Sequence, residues 1–319
     1  MGARTTAPIR TLAGAVAALA LVTALTSCDS SGSSNSLPAP AGSGSGSAES
    51  FDQVIAGAPV ADASAIPAGS LMAKIRSRGS LNVGGTDAAA LFSLKDPVSG
   101  KLTGFDAGLA QMLARYITGK PNENLVTVTA DTREALLQNG TVDTVFATYT
   151  ITPARAQKVA FAGPYYSSGD AILVAASNNG IKTVTDLAGR SVCTESSSTA
   201  ANDIKQYAPS AKVILFQTNA ECEQAVEQGR ADAYVLDQAL LLGDQYRDKG
   251  VKVVGTPFTT EPYGIGVPLG SPEMKAFVND WLKLIESDGS WAKLWQATIG
   301  TALTGQPPTP PVIGSAQGS

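Results

Sequence analysis

Two seven-residue stretches decide the fold of this chain, LQNGTVD at residues 137–143 and VEQGRAD at residues 226–232. In each stretch a helical pattern stops at a glycine, Gly140 or Gly229, and an aspartate follows three residues later where a strand pattern starts. Glycine is the usual residue just beyond a helix because it adopts the left-handed backbone conformation without strain. The sequence therefore predicts one helix–turn–strand unit used twice, once in each of two lobes.

Strand and helix patterns alternate on both sides of these units from Gly79 onward, which indicates an α/β fold. Helices are predicted at residues 105–116, 132–138, 199–207, 219–228, 237–247 and 272–287. Strands are predicted at residues 80–83, 125–129, 142–147, 170–176, 191–194, 212–216, 231–236 and 262–268. Each lobe should be a mostly parallel sheet flanked by helices. Ligands of such sheets bind beyond the carboxyl ends of the strands, so we expect a cleft between the lobes.

The N-terminus has the features of a bacterial export signal. Two arginines precede an apolar run over residues 12–25, which is too short and too alanine-rich for a comfortable membrane span. The run ends in Leu25-Thr26-Ser27-Cys28, which resembles a lipobox, the signal after which the cysteine becomes lipidated and N-terminal. An ordinary secretory signal with an incidental cysteine is the alternative. We expect removal of residues 1–27 and a lipid on Cys28 that holds the protein at the outer face of the cell membrane.

Composition divides the remaining chain. Residues 28–70 begin with a run of Ser, Gly, Ala and Pro that cannot bury enough apolar surface to fold, so we interpret them as a tether. Residues 301–319 are similarly rich in Pro and Gly and are predicted to be disordered. The first lobe is then formed by residues 71–167 together with 257–300, and the second lobe by residues 168–256.

The bulk composition excludes several classes of function. The chain has 319 residues, of which 44% are hydrophobic, so a real core is expected; its net charge of −4 offers no basic surface for nucleic acid. It has no histidine, which removes the usual general base and the commonest metal ligand. We therefore expect no metal and no cofactor.

Beyond Cys28, the chain has two cysteines, Cys193 and Cys222. An even pair of cysteines in an oxidising compartment predicts a disulfide. Closing the loop between them would stabilise the folded protein by roughly 3 to 4 kcal/mol. Two buried free thiols are the alternative. Neither cysteine lies in a CxxC motif, so a redox role is not expected.

The segment that follows the strand at 142–147 carries polar groups suited to an anion. Thr148 and Thr150 alternate along an extended stretch, and a helix then begins near Pro153, with Arg155 one turn into it. A guanidinium beside hydroxyls and free backbone N–H groups suits a carboxylate, because its planar fork binds both oxygens. A surface arginine on a helix capped by threonines is the alternative.

The second lobe has a matching element in Ser196-Ser197-Ser198-Thr199, which links a strand to a helix N-terminus, where amides and the helix dipole favour an anion. A flexible serine-rich loop is the alternative. Asp237 follows an apolar strand and could hold an ammonium group or cap the helix that it starts. An arginine with an anion-binding loop, and an aspartate nearby, would form a receptor for an α-amino acid.

Several motifs then follow, in order, the pattern of one family. They are Gly104-Phe105-Asp106, Gln138-Asn139-Gly140 through Asp143, Ala147-Thr148-Tyr149-Thr150-Ile151-Thr152 with Arg155, Phe161-Ala162-Gly163-Pro164-Tyr165, Asp186-Leu187-Ala188-Gly189 and Tyr263-Gly264-Ile265-Gly266. From about Leu71 to Ile299 the chain resembles solute-binding family 3, the polar-amino-acid-binding proteins of ABC importers. The resemblance implies a two-lobed periplasmic-binding-protein fold of type II and a membrane permease as partner. The motif at 147–152 and the cysteine pair are most similar to actinobacterial glutamate-binding members.

The resemblance implies roles for the polar residues around the head group of the ligand. Arg155 would clamp the α-carboxylate, helped by Thr150 and by the backbone and hydroxyl of Thr199. Thr148 and Asp237 would hold the α-ammonium. A ligand with both groups is a free amino acid, which would be bound and released without chemical change.

The resemblance also implies how the side chain of the ligand is recognised. Arg133 matches an arginine that reaches the side-chain carboxylate in binders of acidic amino acids, and Phe92 and Tyr149 would supply apolar walls. Thr86 stands where glutamate binders often have a basic residue. Glutamate or aspartate is therefore the leading expectation, and glutamine, asparagine or another polar amino acid is the alternative.

Two further departures from the family lie in the second-lobe loop. Ser197 stands where glycine is frequent, and Glu195 where glutamine or lysine is usual. An acid at position 195 would repel an acidic ligand unless it pointed away. Glu195 is also the one acid we would name if the chain were a dehydratase, the enzymatic alternative on this fold.

Overall fold

The computed structural model of the protein describes residues 49–303 and 305–319. The predicted signal peptide at 1–27, Cys28 and the tether up to residue 48 lie outside the described residues. Within them, no helix combines the length and apolar character needed to cross a bilayer.

The described ranges contain ten α-helices and thirteen β-strands. The helices are α1 (Phe51–Gly57), α2 (Leu71–Arg78), α3 (Phe105–Thr118), α4 (Arg133–Gln138), α5 (Pro153–Ala156), α6 (Ala200–Tyr207), α7 (Asn219–Glu227), α8 (Gln238–Arg247), α9 (Pro272–Ser287) and α10 (Ser290–Ala297). The strands are β1 (Leu81–Gly85), β2 (Ala88–Ala89), β3 (Ser93–Lys95), β4 (Leu102–Thr103), β5 (Glu123–Thr127), β6 (Thr144–Val145), β7 (Ala160–Ser168), β8 (Asp170–Ala175), β9 (Ser191–Glu195), β10 (Lys212–Phe216), β11 (Ala233–Asp237), β12 (Val251–Val254) and β13 (Glu261–Val267).

Each lobe is built on a five-stranded mixed sheet. The first has the order β5-β1-β6-β13-β7, in which β5, β1 and β6 run parallel and β13 is antiparallel to both of its neighbours. The second has the order β10-β9-β11-β8-β12, in which β10, β9 and β11 run parallel and β8 is antiparallel to its neighbours. The predicted two-lobed α/β fold is confirmed.

The repeated helix–turn–strand unit has the same local structure in both lobes. The capping glycines have φ angles of +76° and +68°. In lobe 1, Asp143 Oδ2 accepts a hydrogen bond of 2.8 Å from the backbone N–H of Asn82 in β1. In lobe 2, Asp232 Oδ2 accepts one of 2.8 Å from the backbone N–H of Ser191 in β9. Each aspartate therefore ties the returning chain to the first parallel strand of its sheet and fixes the register at the amino ends of the strands, opposite the cleft.

The chain crosses between the lobes twice, at Gly169 between β7 and β8 and over residues 255–260 between β12 and β13. These two segments touch: a Cβ atom on Gly169 would lie 2.2 Å from the carbonyl oxygen of Thr259. Glycine is required there because any side chain would push the two crossings apart.

Three carboxyl groups meet at this hinge. Oxygens of Asp170, Asp203 and Glu261 all lie within 4.8 Å of one another. Asp170 is fully buried, and neither of its carboxylate oxygens has a hydrogen-bond partner among the described residues. Burial, and then the charges of Asp237 and Glu261, raise the pKa of Asp170 to about 10, so this carboxyl is neutral at physiological pH.

Part of the predicted tether is folded. Residues 51–57 form α1, whose N-terminus has a capping box between Ser50 and Gln53. Val54 and Ile55 are buried where α1 packs against α3 and α10. The tether prediction is therefore wrong from residue 49 onward, because a short amphipathic helix follows the low-complexity run directly.

The tail predicted to be disordered follows the surface of lobe 1. The backbone N–H of Gly314 donates a hydrogen bond of 2.8 Å to the carbonyl oxygen of Gly163. Ile313 and Ala316 pack against the core of the same lobe. The proline content of the tail favours an extended segment without hydrogen-bonded secondary structure.

The helices that complete lobe 1 after the second crossing carry all three tryptophans of the chain. Trp281 in α9 and Trp291 and Trp295 in α10 are buried. The indole N–H of Trp291 donates a hydrogen bond of 3.0 Å to the carbonyl oxygen of Tyr165. The tryptophans thus fix these helices onto lobe 1.

Candidate functional site

A cleft of about 860 Å³, counting its open mouth, lies between the two lobes. It sits beyond the carboxyl ends of β1, β5 and β6 on one side and of β9, β10 and β11 on the other, where open parallel sheets bind ligands. Seven of the nine predicted ligand-binding residues line it, namely Arg133, Thr148, Thr150, Arg155, Ser198, Thr199 and Asp237.

Arg155 joins the two lobes. It lies in α5, whose first turn is set by Pro153 and by the Thr152 hydroxyl, which accepts from the backbone N–H of Arg155 at 3.2 Å. One terminal nitrogen donates to the carbonyl oxygen of Thr150 at 2.9 Å, and the other donates to that of Ser197 in lobe 2 at 3.0 Å. Each terminal nitrogen has a second N–H, so the fork can still bind an anion in the cleft. Arg155 is buried and is not the surface arginine of the alternative interpretation.

The loop before α5 holds Thr148 in a left-handed conformation, with φ of +43°. A non-glycine residue in this region is strained, and the surrounding structure must hold it. Asp106 does so, because its Oδ2 accepts from the backbone N–H of Thr148 at 2.7 Å while its Oδ1 accepts from the Tyr165 hydroxyl at 2.7 Å. Asp106 belongs to a motif noted in the sequence, but its positioning role was not predicted.

Arg133 is the second arginine that lines the cleft. It is buried, donates to the carbonyl oxygen of Ala147 at 3.0 Å, and lies with its guanidinium 3.9 Å from the ring centroid of Tyr149. Its Nε has no partner among the described residues. Burial, and then the charge of Arg155, lower the pKa of Arg133 to about 10, so it remains a cation at neutral pH. A buried cation with an unused donor can receive a polar group of a ligand.

The two aromatic residues predicted as walls of the cleft do not line it. Tyr149 is fully buried beneath Arg133 and supports it. Phe92 is buried in the core of lobe 1, with its ring 5.7 Å from that of Tyr166 and 6.1 Å from that of Tyr263. Both are aromatic core residues next to the site. Residue type alone does not distinguish an aromatic residue in the core from one on the wall of the cleft.

The serine-rich loop of lobe 2 is ordered by its own hydrogen bonds. Ser198 donates from its hydroxyl to the carbonyl oxygen of Glu195 at 2.7 Å and accepts from the backbone N–H of Ala201 at 3.2 Å. Ser197 has φ of +58°, a left-handed conformation that favours glycine. The loop places Ser198 and Thr199 beside the first turn of α6, as an anion site requires.

Asp237 ends β11 inside the cleft. It is buried, its side chain makes no capping bond to α8, and its Oδ1 has no partner among the described residues. The helix-cap interpretation is therefore wrong. Burial, and then the charge of Glu261, raise the pKa of Asp237 to about 7, while the nearby Tyr263 hydroxyl and the charge of Arg155 lower it. A buried carboxyl without a partner is costly, and an ammonium group would relieve that cost.

Sequence reasoning missed part of the cleft in both lobes. Residues 127–130 at the end of β5 and 217–219 after β10 also line it. The first segment overlaps the end of the parallel strand predicted at 125–129, and the second follows the one predicted at 212–216. The rule that selected Arg155 and Asp237 would have found them if it had been applied to every strand of the two sheets.

A second contact joins the two lobes. The carboxylate of Asp131 in lobe 1 accepts short hydrogen bonds from the hydroxyls of Ser196 and Ser197 in lobe 2, and these bonds lower its pKa. Together with the bond between Arg155 and Ser197, they hold the lobes in a closed arrangement.

Comparison with known proteins agrees with this geometry. Residues 81–301 match the model of the bacterial extracellular solute-binding proteins, family 3. The chain is similar to the ABC transporter glutamine-binding protein GlnH of Bacillus subtilis, with 37% identity over 66% of this chain and 77% of the relative. It is also similar to the glutamate-binding protein GluB of Corynebacterium efficiens, with 33% identity over 65% of this chain and 74% of the relative. An ancestral arginine-binding protein solved with bound glutamine has 36% identity and a TM-score of 0.66 over 70% of this chain and 99% of that chain. The chain is a member of solute-binding family 3.

Proposed function

We propose that this protein is the amino-acid-binding component of an ABC importer. The observation that carries the proposal is the opposite charge of Arg155 and Asp237 in one closed cleft, close enough that Arg155 lowers the pKa of Asp237. An α-carboxylate fits the first group and an α-ammonium the second. Thr148, Thr150 and Thr199 also line this cleft and add hydroxyl groups.

Glutamate or aspartate is the proposed ligand class, because the buried cation of Arg133 suits a side-chain carboxylate. Glutamine and asparagine are the second candidates. They are favoured by Glu195, which lines the cleft rather than pointing away from it. The names of the relatives support both classes, since GlnH is described as glutamine-binding and GluB as glutamate-binding.

Isothermal titration calorimetry of the purified protein against the twenty amino acids tests the proposal. We expect glutamate, aspartate or their amides to bind, and Arg133→Ala to weaken the acidic ligands while sparing the amides. Arg190→Ala, which removes a cation outside the cleft, is the matched control and should bind as wild type does. Equal loss of all amino acids in Arg133→Ala would exclude acidic selectivity, and no binding of any amino acid would exclude the function itself.

The dehydratase alternative is tested in the same solutions. A binding protein returns its ligand unchanged, so mass spectrometry after long incubation should recover the amino acid intact. Slow conversion of a ligand that is lost in Glu195→Gln would instead assign Glu195 as an acid catalyst.

We further propose that the protein is a lipid-anchored monomer at the outer face of the cell membrane, delivering its ligand to a permease. The lipobox ending at Cys28 supports the anchor. Cys28→Ala should release the protein into the medium, and unchanged retention in the membrane fraction would contradict the anchor. A monomer mass in multi-angle light scattering would support the oligomeric state.

The proposed disulfide concerns Cys193 in β9 and Cys222 in α7. Both are free and buried here, with the Cys193 thiol 3.5 Å from the carbonyl oxygen of Cys222. Burial, and then the Cys193 thiol, raise the pKa of Cys222. Export to an oxidising compartment should join them. An intact mass lower by two hydrogens without reductant is expected, and two alkylatable thiols would rule the bridge out.

A further inference from the structure

Glu195 and Arg133 line the same cleft from opposite lobes. Glu195 ends β9 in lobe 2, and Arg133 begins α4 in lobe 1. The two side chains are close enough that the charge of Arg133 lowers the pKa of Glu195, yet they form no ion pair with each other. Both side chains line the cleft without pairing with each other, so each can contact the end of a ligand side chain there.

The charges around Glu195 come from four elements. Arg133 on α4 and the backbone N–H of Asn219 on α7 favour the carboxylate form. Burial and the charge of Glu221 on α7 favour the neutral acid. Asp237 on β11 and Asp244 on α8 are also close enough to interact with Glu195. The opposing contributions leave the pKa of Glu195 raised to about 7, with burial as the largest cause.

We propose that Glu195 sets the side-chain selectivity of the cleft: as a carboxylate it selects a carboxamide ligand, and as a carboxylic acid it admits a carboxylate ligand. This inference rests on the proposed function. With Glu195 ionised, the amide of glutamine donates from its NH₂ to Glu195 and accepts from Arg133 at its carbonyl oxygen. Every polar atom of the amide then has a partner of the right kind.

Glutamate presents two acceptor oxygens and no donor at the same place. One oxygen can accept from Arg133, but the other would face the carboxylate of Glu195, and two like charges in a desolvated site repel. Protonation of Glu195 removes the repulsion and supplies the missing donor. Binding of glutamate should therefore take up one proton at Glu195, whereas binding of glutamine should keep Glu195 ionised.

The test is calorimetric measurement of Kd for glutamate and for glutamine from pH 5.5 to pH 8.5. The ratio of the two values is the readout, because titration of Asp237 and of the shared α-groups affects both ligands and cancels. Above about pH 7 the ratio of the glutamate Kd to the glutamine Kd should rise by up to roughly tenfold per pH unit.

Glu195→Gln keeps the shape of the side chain and can donate or accept without titrating. Its Kd ratio should stay constant within about twofold over the same pH range, a limit set by ordinary scatter in such measurements. Glu273→Gln, on the exposed face of α9, is the matched control and should keep the wild-type profile. If Glu195→Gln does not fold, Glu195→Ala, which also cannot titrate, takes its place and should show the same constant ratio.

A ratio in the wild type that does not change with pH would overturn the inference and leave the proposed function intact. A change of the same size in Glu195→Gln would overturn it too, because another group would then be titrating. No binding of either ligand at any pH would instead refute the proposed function.

Discussion

The guanidinium of Arg155 in lobe 1 donates a hydrogen bond of 3.0 Å to the carbonyl oxygen of Ser197 in lobe 2. The same side chain faces the cleft, so one group both bridges the lobes and offers charge to a ligand. Closure and ligand recognition are therefore coupled through a single arginine.

Replacement of this arginine should weaken every ligand alike. Arg155→Ala leaves the α-carboxylate without its partner in a desolvated site, which typically costs ~2 to 5 kcal/mol, so Kd should rise by roughly 30-fold or more for all ligands. Arg155→Lys should recover part of the loss, because it restores the charge but not the planar fork. Calorimetry measures both variants, and normal binding by Arg155→Ala would show that the head group lies elsewhere.

The contact of Asp131 with Ser196 and Ser197 exists only when the lobes are closed, so its loss should act on release of the ligand. Asp131→Ala removes two exposed hydrogen bonds of about 1 kcal/mol each, and Kd should rise by roughly 5- to 30-fold. The increase should appear mainly in the dissociation rate measured by stopped flow. Glu273→Ala is the control. An unchanged dissociation rate would mean that the contact does not stabilise the bound state.

Gly104 supports the site from a distance. It has φ of +125°, and a Cβ atom there would lie 2.4 Å from the backbone carbonyl of Phe92. Gly104→Ala should therefore cost about 3 kcal/mol or more in unfolding free energy, from backbone strain and overlap together. Gly100 also has positive φ, +72°, but open space around it. Gly100→Ala should cost only ~1 kcal/mol, and equal losses in urea titrations of the two variants would contradict the overlap argument.

The hinge carboxyls make stability depend on pH. Burial raises the pKa of Asp170 far above the value of about 3.9 that it has in an unfolded chain. Since the unfolded chain releases this proton first, the contribution of Asp170 to stability is fully present below about pH 4 and declines as pH rises toward the folded pKa of about 10. Because asparagine does not ionise, Asp170→Asn should not lose stability in this way as pH rises.

The variant and wild type should therefore have similar melting temperatures at pH 4, and Asp170→Asn should melt at the higher temperature at pH 8. Asp280→Asn, which changes an exposed carboxylate, is the control and should not widen its difference from wild type as pH rises. If the difference in melting temperature between Asp170→Asn and wild type became smaller as pH rises, the pH dependence assigned to Asp170 would have the wrong sign.

The elements of the two sheets could be predicted because their signals are local. The strand at residues 212–216 and the helix at 272–287 agree with β10 and α9 to the residue, since both are bounded by turn residues and carry a clear apolar pattern. The strands β2, β3 and β4 were missed because two or three residues are too few for any periodicity.

Residues of the site were predictable to the extent that their position follows from topology. Arg155 and Asp237 follow parallel strands, so their place at the cleft was expected before the fold was known. Whether Phe92 lies in the core or on a wall, and whether Glu195 points into the cleft or away, depends on packing between distant segments. No local sequence pattern distinguishes these alternative placements of Phe92 and Glu195.

The placement of the three tryptophans has a practical consequence for anyone who measures binding. All of them are buried in α9 and α10 of lobe 1, and none lines the cleft. Intrinsic fluorescence will therefore report the unfolding of one lobe and stay nearly silent when the two lobes close on a ligand. A single tryptophan introduced at the exposed Leu215 of β10 would give the second lobe a signal of its own.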